Sequence, residues 1–138
     1  MVKIYMYGAD EFLGHDITSM MSGRLAKIYQ IKEEEILFIA VNSIIYHQGV
    51  DQTSYHLFFH VEAPSAFKKH EQEMKNYLLS ASEDFSVHSH VEFHYEDNEV
   101  YSRIDEEYPL FVTEKNSVVV EAADEDDEEN IDIFSEIK

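Results

Sequence analysis

The chain has 138 residues, with 29 acidic against 10 basic side chains and a formal net charge of -19 at pH 7. This length suits a single domain with a buried core, and a hydrophobic fraction of 44% supplies the material for one. The negative charge opposes binding to a phosphate backbone or an anionic membrane surface, so neither nucleic acid nor a membrane is expected as a partner.

The sequence contains no cysteine, which excludes disulfides, thiol nucleophiles and thiolate metal sites. No apolar run is long enough to cross a bilayer, and the first residues are typical of a strand rather than of a signal peptide. We therefore expect a cytoplasmic protein. The four glycines are scattered, so no phosphate-binding loop, and no nucleotide or other cofactor, is expected.

The first half of the chain predicts a strand, a helix and a second strand. Residues 2–7 alternate between the two faces, which indicates a strand with one buried face. Asp10 is a suitable N-cap for an amphipathic helix that continues to Tyr29. Residues 35–46 are apolar on both faces, which predicts a strand covered on both sides.

The same order of elements repeats in the second half. An alternating strand at 55–61 is followed by a helix that begins after Pro64 and by another strand at 87–95. A shift of 55 residues aligns Ile4 with Phe59, which is a weak internal repeat. Because both β-α-β crossovers should be right-handed, we predict a two-layer α/β fold, a four-stranded mixed sheet with both helices on one face.

The other face of this sheet is predicted to carry no helix. Its side chains are too aromatic and apolar to be stable in water, so we expect a homo-oligomer in which other copies cover this face. The residues predicted there, besides several histidines, are Tyr5, Tyr7, Leu37, Ile39, Val41 and Phe58.

The C-terminal part of the sequence lies outside the internal repeat. Residues 1–105 form the predicted domain, and residues 106–121 form an extension whose apolar segments 110–112 and 118–120 could pair as a hairpin. Nine acidic residues follow Val120, so residues 122–138 are an acidic tail. Three alternatives stay open for its apolar end: a docking motif for a protein partner, a segment that folds back onto its own domain, or part of a flexible, solubilising tail.

Several short motifs support a family resemblance over residues 1–105. They are Phe38, Asn42-Ser43, Tyr46, Gly49, Leu57-Phe58-Phe59 and Glu71-Gln72-Glu73. With them the chain resembles the uncharacterised bacterial domain-of-unknown-function family 1904, and its doubled β-α-β order resembles the wider tautomerase superfamily, which includes macrophage migration inhibitory factor. The resemblance implies the fold given above and a trimer whose bare sheet faces point inward.

The resemblance also implies where chemistry would occur. The superfamily uses a proline exposed after Met1 is removed, and here that position is Val2. A free Val2 amine, with a reference pKa of about 7.7 to 8.0, could act as a general base on a small keto or enol acid, with Tyr5, Tyr7 and Asn42 as candidate pocket groups. Loss of the proline favours the alternative, a non-catalytic binding or regulatory module.

Histidines dominate one face of the last predicted strand. Alternation places His88, His90 and His94 together, with His56 and His60 on the neighbouring strand. His88 and His90 with His56 or His60 are candidate ligands for zinc or another divalent ion. The alternative is a polar face or subunit interface in which these histidines hydrogen-bond to Tyr and Glu, and where they would make assembly sensitive to pH.

Overall fold

The computed structural model describes residues 1–105 and 107. The chain divides into two units, Met1–Val100 and Tyr101–Lys138, and the helices and strands described below all belong to the first. The hairpin predicted from segments 110–112 and 118–120, and the acidic tail, lie outside the described residues.

The first unit consists of a four-stranded sheet, a two-stranded hairpin and two α-helices. The elements are β1 (Val2–Tyr7), α1 (Glu11–Tyr29), β2 (Ile36–Val41), β3 (Tyr46–His47), β4 (Val50–Asp51), β5 (His56–Ala63), α2 (Glu71–Ala81) and β6 (His88–Tyr95). The large sheet has the order β2-β1-β5-β6, in which the outer pairs are parallel and the central pair, β1 and β5, is antiparallel. This topology confirms the predicted doubled β-α-β fold.

Helix α1 follows its predicted bounds. The side chain of Asp10 accepts a hydrogen bond from the backbone N–H of Leu13 at 2.7 Å, as an N-cap should. The helix ends at Tyr29, where Gln30 adopts a left-handed conformation and its N–H bonds to the last-turn carbonyls. In the part of the chain that the structure describes, no helix has both the length and the apolar character needed to span a membrane.

The hydrophobic core lies between the two helices and one face of the sheet. Alternate residues of β1 and β5 form the sheet side of the core, because residues two apart on a strand share a face. Both helices pack over them. Its completely buried members include Val2, Ile4, Ile17, Met21, Leu25, Leu57, Phe59, Val61, Met74 and Leu78.

The second strand differs from its prediction. It covers only Ile36–Val41, and it lies at the edge of the sheet rather than between covered faces, with Leu37 46% exposed. The apolar residues Ile44 and Ile45 lie beyond Val41, and they lead into the β3–β4 hairpin instead of extending the strand. The hairpin, which the sequence analysis missed, turns at Gln48 and Gly49, both with positive φ.

The second helix begins later than predicted. Ser65–His70 form a 3₁₀ helix that carries Phe67, and the α-helix begins at Glu71. Phe67 still packs on the core, where it stacks on Tyr29 with ring centroids 5.1 Å apart. The apolar spacing therefore predicted the packing but not the helix type.

Candidate histidine pocket

The helix-free face of the sheet, here called the open face, carries rows of side chains from three strands. Tyr7 of β1 lies opposite Phe58 of β5, which lies opposite His90 of β6. The next row contains Tyr5, His60 and Glu92. The strand alternation predicted from the sequence thus places its histidines and tyrosines on the open face.

An open cavity of about 370 Å³ lies at the end of this face where β5 and β6 begin. We call it the histidine pocket. The hairpin β3–β4 supplies one side of it, and β5 and β6 supply the other, so four histidines distant in sequence meet there. Its lining residues are Ile45, Tyr46, His47, His56, Phe58, His88 and His90.

His56 is the centre of this group. Its ring centroid lies 4.6 Å from that of His88, 5.2 Å from that of His90 and 5.1 Å from that of His47. The side chain is buried, at 7% exposure. Because burial and the neighbouring imidazoles both disfavour a positive charge, the pKa of His56 is lowered from its ordinary value.

Two hydrogen bonds indicate which ring nitrogens of His56 and His90 carry a proton when both rings are neutral. The Nε2 atom of His56 lies 2.8 Å from Oε1 of Gln52, and since a carbonyl oxygen only accepts, His56 donates from Nε2. Its Nδ1 must then accept from Nε2 of His90, 2.9 Å away. A neutral His90 therefore keeps an unprotonated Nδ1 that takes no part in this chain.

The other histidines of the open face have carboxylate partners instead. His60 contacts Glu92 at 2.5 Å and Glu62 at 3.3 Å, and His94 contacts Glu96 at 2.5 Å. The hydrogen bond to Glu96 raises the pKa of His94. Among the described residues, the open face therefore has two kinds of histidine, those paired with carboxylates and those in contact with other imidazoles or with Gln52.

The four candidate catalytic residues do not form one cluster within a single chain. Val2 is buried in the core at 0% exposure. Tyr5 and Tyr7 lie on the open face, against His60 and Phe58 respectively. Asn42 is exposed beyond the end of β2.

A small cavity of about 100 Å³ lies near the start of β1. Lys3 and Glu62, which line it, form an ion pair at 3.0 Å. Glu62 raises the pKa of Lys3, and Lys3 lowers the pKa of Glu62. The sequence analysis missed this pair, because it depends on the antiparallel register that places Lys3 of β1 opposite Glu62 of β5. Other lining residues include Met1, Pro64 and Asn98.

The candidate metal ligands are only partly brought together. His56, His88 and His90 meet in the histidine pocket, whereas His60 pairs with Glu92 and its place is taken by His47. Within residues 1–105 and 107, no group of three or more His, Cys, Asp or Glu is arranged to hold a metal ion. The ring nitrogens of His56 and His90 hydrogen-bond to each other instead, and metal binding stays a prediction.

Comparison with known proteins supports the fold. No family model matches the chain, and no curated protein matches it. A domain of unknown function (DUF1904) from Sebaldella termitidis has a similar structure, with a TM-score of 0.63, 14% identity and coverage of 75% of this chain and 95% of that one. A Vibrio cholerae protein of unknown function gives a TM-score of 0.61 at 8% identity, covering 74% and 83% of the two chains.

A macrophage migration inhibitory factor-like protein from Entamoeba histolytica is also similar. Its TM-score is 0.55 at 14% identity, with 73% of this chain and 93% of that chain covered. Identities this low carry the fold alone. The comparisons thus confirm the tautomerase-like fold that the resemblance implied.

Proposed function

We propose that this chain is a non-catalytic binding or regulatory module built on the tautomerase-like fold. The observation that carries the proposal is the burial of Val2, whose side chain belongs to the core between the sheet and the helices. Of the candidate partners, Tyr7 is the last residue of β1 and Asn42 follows the end of β2, and β1 is roughly 17 Å long at about 3.3 Å per residue. A base at Val2 would act without them in one chain.

The module is proposed to assemble through its open face, as a trimer. Leu37 on β2 is 46% exposed, and Ile44 beside this face is 65% exposed. Removing such apolar area from water stabilises an assembly by about 25 cal/mol per Å². The trimer is the stoichiometry that the superfamily resemblance implies.

Native mass spectrometry of the untagged protein tests this assembly. Wild-type protein is expected as a trimer, and Leu37→Glu, which puts a charge on the open face, is expected to shift it to monomer. Leu79→Glu is the matched control, because Leu79 is an exposed leucine at 36% on α2. A monomeric wild type, or equal dissociation by both variants, would contradict assembly through the open face.

A second candidate function is a tautomerase-like isomerase that acts on a small keto or enol acid. The specific observation in its favour is the cavity near the start of β1, lined by Met1, Lys3 and Asn98. Removal of Met1 would free the amine of Val2 beside this space, and Lys3 could attract an anionic substrate.

One assay separates the two candidates. Protein with Met1 removed and protein with one glycine added before Val2 are each mixed with a small keto acid, and enol formation is followed by ultraviolet absorbance. The binding module predicts no catalysis by either form. Turnover that disappears in the extended form would support the isomerase and end the non-catalytic proposal.

The domain boundaries and the tail complete the proposal. Residues 1–105 are proposed as the folding unit, with 106–121 as an extension and 122–138 as an acidic segment that contacts a protein partner. The charge run at 124–129 supports the last part, because it would attract a basic surface. Deletion of residues 122–138 is expected to leave the thermal midpoint and the oligomeric state unchanged, and a loss of either would place the tail in the fold or assembly.

A further inference from the structure

Rings make up most of the lining of the histidine pocket. Six of its seven lining residues carry an aromatic or imidazole ring, and only Ile45 is aliphatic. The rings of His56 and His90 are stacked at 5° with centroids 5.2 Å apart, and those of Phe58 and His90 are stacked at 27° with centroids 5.7 Å apart. These are geometries that aromatic rings prefer, so a further planar ring in the cavity would extend the row.

The lining also lacks fixed charge. Among the described residues, no Asp, Glu, Lys or Arg lines the pocket. Glu92, on the next row of the sheet, is held by His60, and Asp51 of β4 is hydrogen-bonded to Thr53. A carboxylate or ammonium group placed in the cavity would lose its water without gaining a fixed opposite charge, which is costly. The lining therefore favours an uncharged ligand.

Two imidazoles of the pocket can hydrogen-bond to a ligand. Gln52 and His90 occupy both ring nitrogens of His56. Within the described part of the chain, the ring nitrogens of His47 and His88 make no hydrogen bond, and both residues are exposed. A neutral imidazole has one acceptor nitrogen, so the N–H of a ligand can replace water on either ring.

The volume of the cavity limits the size of the ligand. About 370 Å³ lies at the low end of the range for small-molecule sites, which suits one ring or two fused rings. The β3–β4 hairpin lies on one side of this space, and β5 and β6 lie on the other. A flat molecule would therefore contact both sides.

We propose that the histidine pocket binds an uncharged, planar heteroaromatic molecule of one ring or two fused rings that carries an N–H group. The ligand stacks on Phe58 and the imidazoles, and its N–H donates to His47 or His88. This ligand class rests on the proposed binding function and specifies it. No covalent bond forms or breaks.

Fluorescence anisotropy of indole tests the proposal on the full chain. The protein contains no tryptophan, so excitation beyond the tyrosine absorption band detects the added indole alone. At pH 8, where an ordinary imidazole is uncharged, the anisotropy should rise and saturate as protein is added. Because 1-methylindole lacks the N–H, it should bind about two- to tenfold more weakly, the effect of one hydrogen bond.

Two matched pairs of ligands test the preference for an uncharged molecule. Tryptophol and tryptamine differ in a hydroxyl against an ammonium group, and indole-3-acetamide and indole-3-acetate differ in an amide against a carboxylate. The uncharged member of each pair should bind at least about tenfold more tightly. Equal or tighter binding of either charged member would overturn the proposal.

Variants of the pocket test the stacking and the hydrogen bond. Phe58→Leu keeps an apolar wall but removes the ring, and it should weaken indole binding about two- to tenfold. Phe12→Leu is the matched control, because Phe12 is 81% exposed on α1 and does not line the pocket. Its affinity should equal that of wild type. The double variant His47→Phe/His88→Phe keeps both rings without their nitrogens, so it should bind indole and 1-methylindole equally.

Three further results would overturn the proposal. They are no saturable indole binding by folded protein, equal loss of affinity in Phe58→Leu and Phe12→Leu, and equal binding of indole and 1-methylindole by wild type. If a variant does not fold, the ligand series on the wild-type protein still decides.

Native mass spectra of the same samples separate this failure from failure of the proposed assembly. A trimer that does not bind indole refutes only the ligand class, and a monomer that binds it refutes only the assembly. Turnover in the keto-acid assay would end the non-catalytic proposal whether or not indole binds.

Discussion

The two faces of the large sheet are formed by the same strands but differ in the burial and chemistry of their side chains. On β5, Leu57, Phe59 and Val61 are completely buried beneath the helices, while His56, Phe58 and His60 face the other way. One face is an apolar core, and the other combines aromatic rings, imidazoles and carboxylates. The difference shows that alternation divides the residues into two sets, and that the helices decide which set becomes the core.

Substitution of the adjacent residues Phe58 and Phe59 of β5 tests this comparison, and it has the largest expected effect on the free energy of unfolding. Phe59→Ala should lower the free energy of unfolding by about 3 to 5 kcal/mol, because it leaves a cavity in the core. Phe58→Ala on the open face should cost less than about 1.5 kcal/mol. Urea denaturation at a fixed protein concentration measures both, and equal losses would mean that the open face is as tightly packed as the core.

Gly8 follows β1 and lies against the backbone at the start of β5. Its φ is +86°, and a Cβ there would lie 2.2 Å from the backbone oxygen of His56. Gly8→Ala should therefore destabilise by more than about 2 kcal/mol, the strained φ and the backbone clash adding together. The same clash should displace the backbone of His56 and so distort the histidine pocket.

Gly49→Ala is the control for that substitution. Gly49 has a similar φ of +78°, but among the described residues no atom other than those of its chain neighbours would lie within 4 Å of an added Cβ. Gly49→Ala should lower the free energy of unfolding by only about 1 kcal/mol, because the positive φ is the single unfavourable factor. Thermal denaturation of the two variants compares them, and equal shifts would show that the approach of His56 to Gly8 is unimportant.

A smaller effect distinguishes polar groups beneath the helices. The hydroxyl of Tyr29 is buried without a hydrogen-bond partner among the described residues, so Tyr29→Phe should be neutral or stabilise by up to about 1 kcal/mol. The hydroxyl of Tyr95 donates to Glu71 at 3.2 Å, so Tyr95→Phe should cost about 1 kcal/mol. Denaturant midpoints measure both, and the reverse order would contradict the hydrogen-bond assignment.

The smallest effect is a pH dependence that comes from the open face. The folded pKa of His56 is below its ordinary value of 6.5, so the unfolded state binds more protons as pH falls below about 6.5 and stability decreases. The folded pKa of His94 is above 6.5, so its contribution is fully present below that pH and is lost as pH rises through the folded pKa.

Melting curves between pH 5 and pH 8 separate these two histidines. His56→Gln should flatten the loss of stability on the acid side, and His94→Gln should flatten the loss on the alkaline side. Identical pH profiles for wild type and both variants would show that these side chains do not titrate differently in the folded and unfolded states.

Much of the fold was predictable because local patterns agreed with one another. Asp10 marked the start of α1, and the alternation of β1, β5 and β6 assigned their faces correctly. The prediction for β2 was wrong because an apolar run has no local signal for where pairing stops. Its neighbour β1 ends at Tyr7, opposite Val41, so the pairing of β2 with β1 stops there.

The candidate site was predictable only in part. Strand alternation placed His56, His88 and His90 together, since the β5–β6 pairing needs only two correct strands. It could not add His47, which arrives on a two-residue strand too short for any periodicity. It also could not separate His60 from the pocket, because the contact with Glu92 depends on the register across the sheet.

The sequence by itself determined the doubled β-α-β order, the two faces of each strand and the excess of acid, because these depend on residue type and on spacing along the chain. Only the tertiary structure decided that β1 and β5 pair at the centre, that Val2 lies in the core, and that His56 bonds to His90. Those outcomes depend on contacts between residues far apart in sequence, whose geometry is set by packing all the elements at once.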